Sequence, residues 1–395
     1  MFSTPESSRV RIVFCGRRNT GKSSLVNAIA GQAVSIVSDV PGTTADPVRK
    51  SMEMLPLGPV LLVDVAGLDD DQQTVGELRL DKARRELRNA DLAVVVADAK
   101  DGLGAFESAL VSSLRSDGIP FVFVANKTDA CRLPAEFAGD IREQIKAPAF
   151  AVSAKTGEGV EALKTAIANT KLDEPESQRL IGDRIAKGDV VILVTPQDSS
   201  APKGRLILPQ QQTIRDILDS HATALACQTS ELAATLAALK TPPRMVITDS
   251  RVIGEVRAIV PPEISITSFS ILFARYKGGY ETLVAGVAAL DGLKDGDRVL
   301  IAEGCTHRRQ CDDIGTVKIP AWLRGYSGKS LHFDFTSGSG FPDDLSPFAL
   351  VIHCGACMLN RREMRRRTEA AKDAGVPIVN YGLAIAKMRG IGGEF

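Results

Sequence analysis

The sequence predicts an α/β protein in three successive domains. Residues 9–171 alternate short β-branched apolar runs with amphipathic stretches. Two later segments repeat that alternation, and polar or proline-marked stretches separate the three. Alternating strands and helices imply parallel sheets with helices on their faces, and ligands then gather at the carboxyl ends of the strands.

Taken in order, RVRIVFCG, GPVLLVDVAG, ADLAVVVAD, PFVFVANK and PAFAVS read as buried strands, each ending at a polar loop. Helical stretches such as SSLVNAIAG and ALVSSLR lie between them. A polar linker with Pro175 closes this first domain, 1–172. The second, 178–261, reads as strand DVVILVTPQ, helix QQTIRDILDSH, strand ATALACQ, helix SELAATLAAL and strand RMVITDS, and ends at Pro261-Pro262. The third, 262–395, reads as helices around SFSILFARY and ETLVAGVAAL, then strands DRVLIAEG, FALVIHC and PIVNYG.

Composition excludes several classes. The 395 residues are 44 % apolar and 24 % charged, a globular profile with no low-complexity tract. Lys plus Arg equals Asp plus Glu, 48 against 48, so no global field draws the chain to nucleic acid or anionic lipid. No apolar run approaches the ~18 residues of a membrane span, and residues 1–9 lack the apolar core of a secretion signal. A cytoplasmic location is expected. The seven cysteines then read as metal ligands or core thiols rather than disulfides.

Gly16-Arg-Arg-Asn-Thr-Gly-Lys22-Ser23 fits the phosphate-binding pattern GxxxxGK[ST], set between a strand and a helix. Glycines let backbone N–H groups converge on phosphates, and the helix N-terminus adds positive potential. Gly16, Asn19, Thr20, Gly21, Lys22, Ser23 and Ser24 are therefore nucleotide-binding candidates. Lys22 would reach the β- and γ-phosphates and the Ser23 hydroxyl would ligate Mg²⁺. Asp64-Val-Ala-Gly67 supplies a carboxylate for the magnesium shell and a glycine N–H for the γ-phosphate. Thr43 and Thr44 can close over the γ-phosphate and metal, Thr44 being preferred. Asn126-Lys127-Thr128-Asp129 and Ser153-Ala154-Lys155 follow two further strands. A carboxylate such as Asp129 accepts hydrogen bonds from guanine N1 and N2, a pair adenine lacks, so the expected ligands are GTP and GDP.

These five motifs, in this order over 9–171, resemble the translation-factor-related GTPases, in the branch of Era and the tRNA-modification GTPases. The fold expectation becomes a P-loop GTPase domain followed by two smaller α/β domains. Leu68 follows Gly67 where Ras-like proteins carry a water-orienting glutamine, so another catalytic device and slow intrinsic hydrolysis are expected. Asn19 matches the asparagine that helps hold K⁺ in many members of this branch.

The third domain concentrates Cys305-Thr-His307 and His353-Cys354-Gly-Ala-Cys357, each at the end of an apolar strand. Two cysteines three apart on a turn can aim both thiolates at one metal, and a following helix N-terminus lowers thiol pKa. Zinc held by three Cys and one His, and an iron–sulfur cluster with Cys311 as a further thiol, both satisfy the residues. Cys15, Cys131 and Cys227 read as structural. The run Arg361-Arg362-x-x-Arg365-Arg366-Arg367 reads first as a solvated helix face, and second as a docking patch for an acidic or anionic partner.

A GTPase domain, a middle domain and this C-terminal CxH…HCxxC resemble the HydF family of [FeFe]-hydrogenase maturation GTPases over essentially the whole chain. The resemblance implies a [4Fe-4S] cluster on Cys305, Cys354 and Cys357, with His307 preferred to His353 as a fourth ligand. It also implies a homodimer, a diiron precursor carried as cargo, and radical-SAM maturases and apo-hydrogenase as partners, without nucleic acid or membrane. Val65 stands where threonine is common in the family, outside the phosphate and metal contacts. The rival is a ribosome-assembly or tRNA-modifying GTPase with a zinc-stabilised appendage.

Overall fold

The computed structural model describes residues 4–31, 47–69, 75–131, 137–172, 179–196, 206–305, 313–338 and 340–391. The chain divides into two compact units, Met1–Glu174 and Pro175–Phe395.

In the first unit the order is β1 (Val10–Cys15), α1 (Lys22–Ala30), β2 (Val48–Met54), β3 (Gly58–Asp64), α2 (Val75–Arg88), β4 (Leu92–Asp98) and α3 (Ala105–Ser116). There follow β5 (Phe121–Asn126), α4 (Phe137–Ile145), β6 (Ala149–Ala151) and α5 (Val160–Ala168). They form a six-stranded sheet, β2-β3-β1-β4-β5-β6, in which β2 alone pairs antiparallel. The central runs are apolar on both faces because helices cover both. Val13, Val63, Val95 and Phe123 pack into one layer, and Ile12, Leu62, Val94 and Val124 into the other. Charged VRKSMEM escaped the sequence reading because β2 is a half-exposed edge strand.

The second unit holds two sheets. The first comes from β7 (Val190–Val194), α6 (Leu208–Asp219), β8 (Thr223–Cys227), α7 (Leu232–Ala238), β9 (Met245–Thr248), α8 (Ile253–Ile259) and β10 (Ser265–Ser268). Its order is β10-β9-β7-β8, all parallel. Then come α9 (Phe269–Lys277), α10 (Tyr280–Ala285), β11 (Arg298–Ala302), α11 (Ile319–Ser327), β12 (His332–Thr336), β13 (Leu350–His353), α12 (Arg361–Asp373), β14 (Ile378–Asn380) and α13 (Tyr381–Met388). Here the order is β12-β11-β13-β14, again parallel.

The boundary expected at 261/262 needs correction. Ser265–Ser268 pairs with β9, so the middle sheet continues beyond Pro261-Pro262. The prolines mark a turn before the edge strand rather than a domain end. Helix α9 explains why the two sheets form one unit. It is apolar nearly all round, and such a helix is buried on every side. Phe269, Leu272 and Phe273 join the core of the middle sheet, while Ile271 and Ala274 join that of the last sheet.

Candidate functional site

The phosphate loop leaves β1 and enters α1 as its pattern predicts. Gly16 has φ +141°, and a Cβ there would stand 2.1 Å from the Val96 carbonyl oxygen. Gly21, at φ +87°, would press a Cβ against Asn126 Nδ2 at 2.3 Å. Only glycine fits either position. Lys22 is buried and its Nζ donates to the carbonyls of Gly16 (3.3 Å) and Arg17 (2.6 Å), curling back over the loop. The Ser23 hydroxyl donates to Asp64 Oδ2, from the first turn of α1 to the end of β3, bringing together the two groups that suit a magnesium shell. Burial draws the Lys22 pKa down, with Asp64 opposing. Burial likewise pushes Asp64 up, with the Ser23 hydrogen bond opposing. A cation and an anion held at the loop are what a Mg²⁺–phosphate ligand can exploit.

Gly67 follows β3, and Leu68 N–H donates to Gly16 O (3.2 Å), tying the DxxG turn to the phosphate loop. The Leu68 side chain packs on the sheet core. Asn19 is exposed, with a left-handed φ of 59°. Thr43 and Thr44 lie outside the described residues.

The base end is assembled by β5 and β6. Asn126 Nδ2 donates to Thr20 O (2.9 Å), and its Oδ1 accepts from Ala154 N–H (3.0 Å). One amide thereby joins phosphate loop, β5 and the loop after β6. Ser153 Oγ donates to Asp129 Oδ1 (2.6 Å), fixing the carboxylate. Lys127 pairs with Asp98 at 2.8 Å, and exposed Lys155 stands 3.9 Å from Asp129. Gly21, Ser24, Asn27, Asn126, Lys127, Asp129, Ala154 and Lys155 line one cleft of about 640 Å³, within the range of about 300–1,000 Å³ usual for small-ligand sites.

In the second unit, parallel pairing of β11 with β13 sets Ala302 opposite His353. The segments carrying Cys305 and Cys354 therefore leave neighbouring strand ends. Gly304 N–H donates to Cys354 Sγ at 3.0 Å, and Ala356 N–H to the same sulfur at 3.4 Å. Ala356 adopts φ 54°, which folds the Cys354–Cys357 turn back on itself. Backbone amides aimed at a sulfur suit a thiolate ligand, because each donor stabilises its charge. Without a metal, burial pushes the Cys354 thiol up to about 11 and raises Cys357 as well. The expected lowering by the α12 N-terminus is thus outweighed, since desolvation is the larger effect here. Among the described residues no three His, Cys, Asp or Glu side chains are gathered into a metal-holding group. His307 and Cys311 lie outside those residues. Cys305, Cys354 and Cys357 are all described, so the three-thiol group expected from the sequence is not drawn together here; what suits a thiolate is the pair of amides converging on the Cys354 sulfur.

His353 is fully buried and both ring nitrogens are engaged. Arg367 Nη1 lies 3.1 Å from Nε2, and Nδ1 lies 2.9 Å from the Cys354 carbonyl oxygen. A guanidinium only donates, so Nε2 accepts and Nδ1 carries the proton. Burial, reinforced by the Arg367 charge, pushes the His353 pKa down to about 3. To bind a metal, this ring would have to give up one of these bonds.

Arg367 itself is fully buried. Its Nε donates to Glu363 (2.7 Å) and its Nη2 to Gly338 O (2.6 Å). Arg366 shares Glu363, and Arg361 lies 4.0 Å over the Tyr276 ring. The arginine run is therefore no solvated face. Sequence reasoning missed Arg367 because charge density alone cannot show a buried counter-ion. Breaking a buried pair by removing one partner costs about 3–5 kcal/mol. Arg367→Met is expected to destabilise the second unit by that order, read as a lower denaturant midpoint; an unchanged midpoint would contradict it.

A strand, a glycine loop closing on a helix N-terminus and a guanine-type reading pair at the next strand ends define the first unit as a P-loop GTPase. Three family models match in succession: a 50S ribosome-binding GTPase over 11–127, a hydrogen maturase F dimerization domain over 180–278 and a hydrogen maturase F tetramerization domain over 281–392. The chain belongs to the HydF family of hydrogenase maturation GTPases. The dimerization and tetramerization matches support self-association.

Among curated relatives, the tRNA modification GTPase MnmE of Nitrosomonas europaea is 34 % identical over 161 residues, 41 % of this chain and 34 % of that protein. The MnmE of Nitrosococcus oceani is 38 % identical over 154 residues, 39 % of this chain and 32 % of that protein. The chain thus spans about a third of the length of these relatives. The G domain of the T. maritima FeoB iron transporter shares 25 % identity over 40 % of this chain and 96 % of that chain, with a TM-score of 0.32. No helix among the described residues is long and apolar enough to cross a membrane.

Proposed function

We propose that this protein hydrolyses GTP to GDP and phosphate and serves as a scaffold in assembling the [FeFe]-hydrogenase active-site cluster. It would hold a [4Fe-4S] cluster and pass on a diiron precursor. The observation that carries the reading is the union of the GTPase site with a HydF-type C-terminal half in which two strand ends present Cys305 and the Cys354–Cys357 turn.

In the GTPase unit, Lys22 and the loop amides would neutralise the phosphates, and Ser23 with Asp64 would hold Mg²⁺. Thr44 and the Gly67 N–H would read the γ-phosphate, and Asp129 would select guanine. Since Leu68 is committed to the core, water would be oriented by other means. We assign K⁺ at Asn19 to part of that task. Hydrolysis should run faster in K⁺ than in Na⁺, and Asn19→Ala should erase the difference; equal native rates in both salts would remove the assignment.

In the second unit, Cys305, Cys354 and Cys357 would bind the cluster, with His307 a candidate fourth ligand. His353 instead would steady the Cys354 carbonyl. Three thiolates on four irons would supply one exchangeable iron position, suited to docking and releasing a second metal unit. Apo-hydrogenase and the radical-SAM maturases would be its partners. Anaerobic purification with iron and sulfide analysis tests the reading. Brown protein absorbing broadly near roughly 400 nm supports it, and colourless zinc-containing protein sinks it.

A further inference from the structure

We propose that Lys277 is a built-in counter-charge for the metal centre, one that sets the reduction potential of the cluster held beside it. The inference rests on the cluster reading above and deepens it. Lys277 closes α9, a helix whose other residues are mostly apolar. It is buried to 2 % exposure, and long cations are almost never so buried unless held by specific partners.

One of its hydrogen bonds reaches the chain just beyond the cysteine turn. Nζ donates to Leu359 O at 2.6 Å, two residues beyond Cys357. The same ammonium lies 5.8 Å from the Tyr276 ring centroid. Cys357 packs on the apolar cluster that contains Leu272 and Phe273 of this helix. Lys277 is thus a buried cation at the end of α9, bonded to the chain two residues beyond Cys357.

Three thiolates on a [4Fe-4S]²⁺ core carry a net charge of about −1, and one-electron reduction adds another negative charge in a desolvated place. A buried cation stabilises the reduced form more than the oxidised one, because it interacts with one more negative charge. The potential therefore rises with the lysine and falls without it.

The test is an anaerobic redox titration of the full-length, reconstituted protein, followed by the EPR signal of the reduced cluster. Lys277→Gln retains a donor for Leu359 O but not the charge, and Lys277→Met removes both. Either is expected to shift the oxidised-to-reduced ratio about tenfold at fixed ambient potential, a fall of about 59 mV for a one-electron couple. Lys277→Arg, which keeps the charge, is expected to stay near the native potential. Using two neutral variants keeps the result readable should one fail to fold. A native potential in a folded neutral variant with full iron and sulfide overturns the role of Lys277 alone. Native protein that takes up no iron or sulfide overturns the cluster reading, and this role with it.

Discussion

Asp129→Asn is expected to weaken GTP binding about 10²-fold while leaving the fold intact, because two charge-assisted hydrogen bonds to guanine are worth about 3 kcal/mol together. The side chain is already fixed: Ser153 Oγ donates to Oδ1, and an asparagine oxygen in the same place would accept that bond equally well. What changes is the other arm, from an acceptor to an NH₂ donor facing the guanine amine. Xanthine presents a carbonyl there, so the variant should gain affinity for xanthosine triphosphate as it loses GTP. Fluorescent-nucleotide titrations with both bases measure the exchange. Unaltered GTP affinity would mean that the base is read elsewhere in the cleft.

The second large effect concerns the sulfurs. Cys305→Ser, Cys354→Ser and Cys357→Ser are each expected to lose most iron and sulfide after anaerobic reconstitution, with GTP hydrolysis retained. A serine hydroxyl matches the thiol in shape but does not ionise to a soft thiolate ligand near neutral pH. Cys354 should be the most severe. Its sulfur is half-buried and receives both the Gly304 and the Ala356 N–H groups, a pair of donors no neighbouring residue is placed to use. Metal content and hydrolysis, measured on the same preparation, separate loss of ligation from loss of fold. A variant that keeps full iron and sulfide would strike its cysteine from the ligand set.

Much of the nucleotide site was legible because its chemistry is local. The turn from β1 into α1 needs glycines where φ is positive, at Gly16 and Gly21, and the lysine and serine follow at fixed spacing. The reading of Asn126 and Asp129 rests on strand ends that any parallel sheet brings together. Less legible was the division of the C-terminal half. Two prolines suggested a border, but β10 rejoins the middle sheet and α9 serves two cores at once. An apolar run announces burial without saying against what. The arginine-rich helix failed for a related reason. Periodicity places Glu363 and Arg367 on one helix face, yet the burial of that face against His353 and Gly338 depends on chain far away.

By itself, then, the sequence determined the α/β class, the order of the nucleotide loops and which cysteines share a turn. Those properties follow from backbone geometry and side-chain chemistry within a few residues. The tertiary structure alone decided that Gly304 reaches Cys354, that His353 is locked between Arg367 and a carbonyl, and that Lys277 arrives at the cysteine turn from a helix shared by two cores. Such contacts arise when strands and helices remote in sequence exclude water together, and desolvation then gives an isolated charge or ring nitrogen a strength that no local pattern encodes.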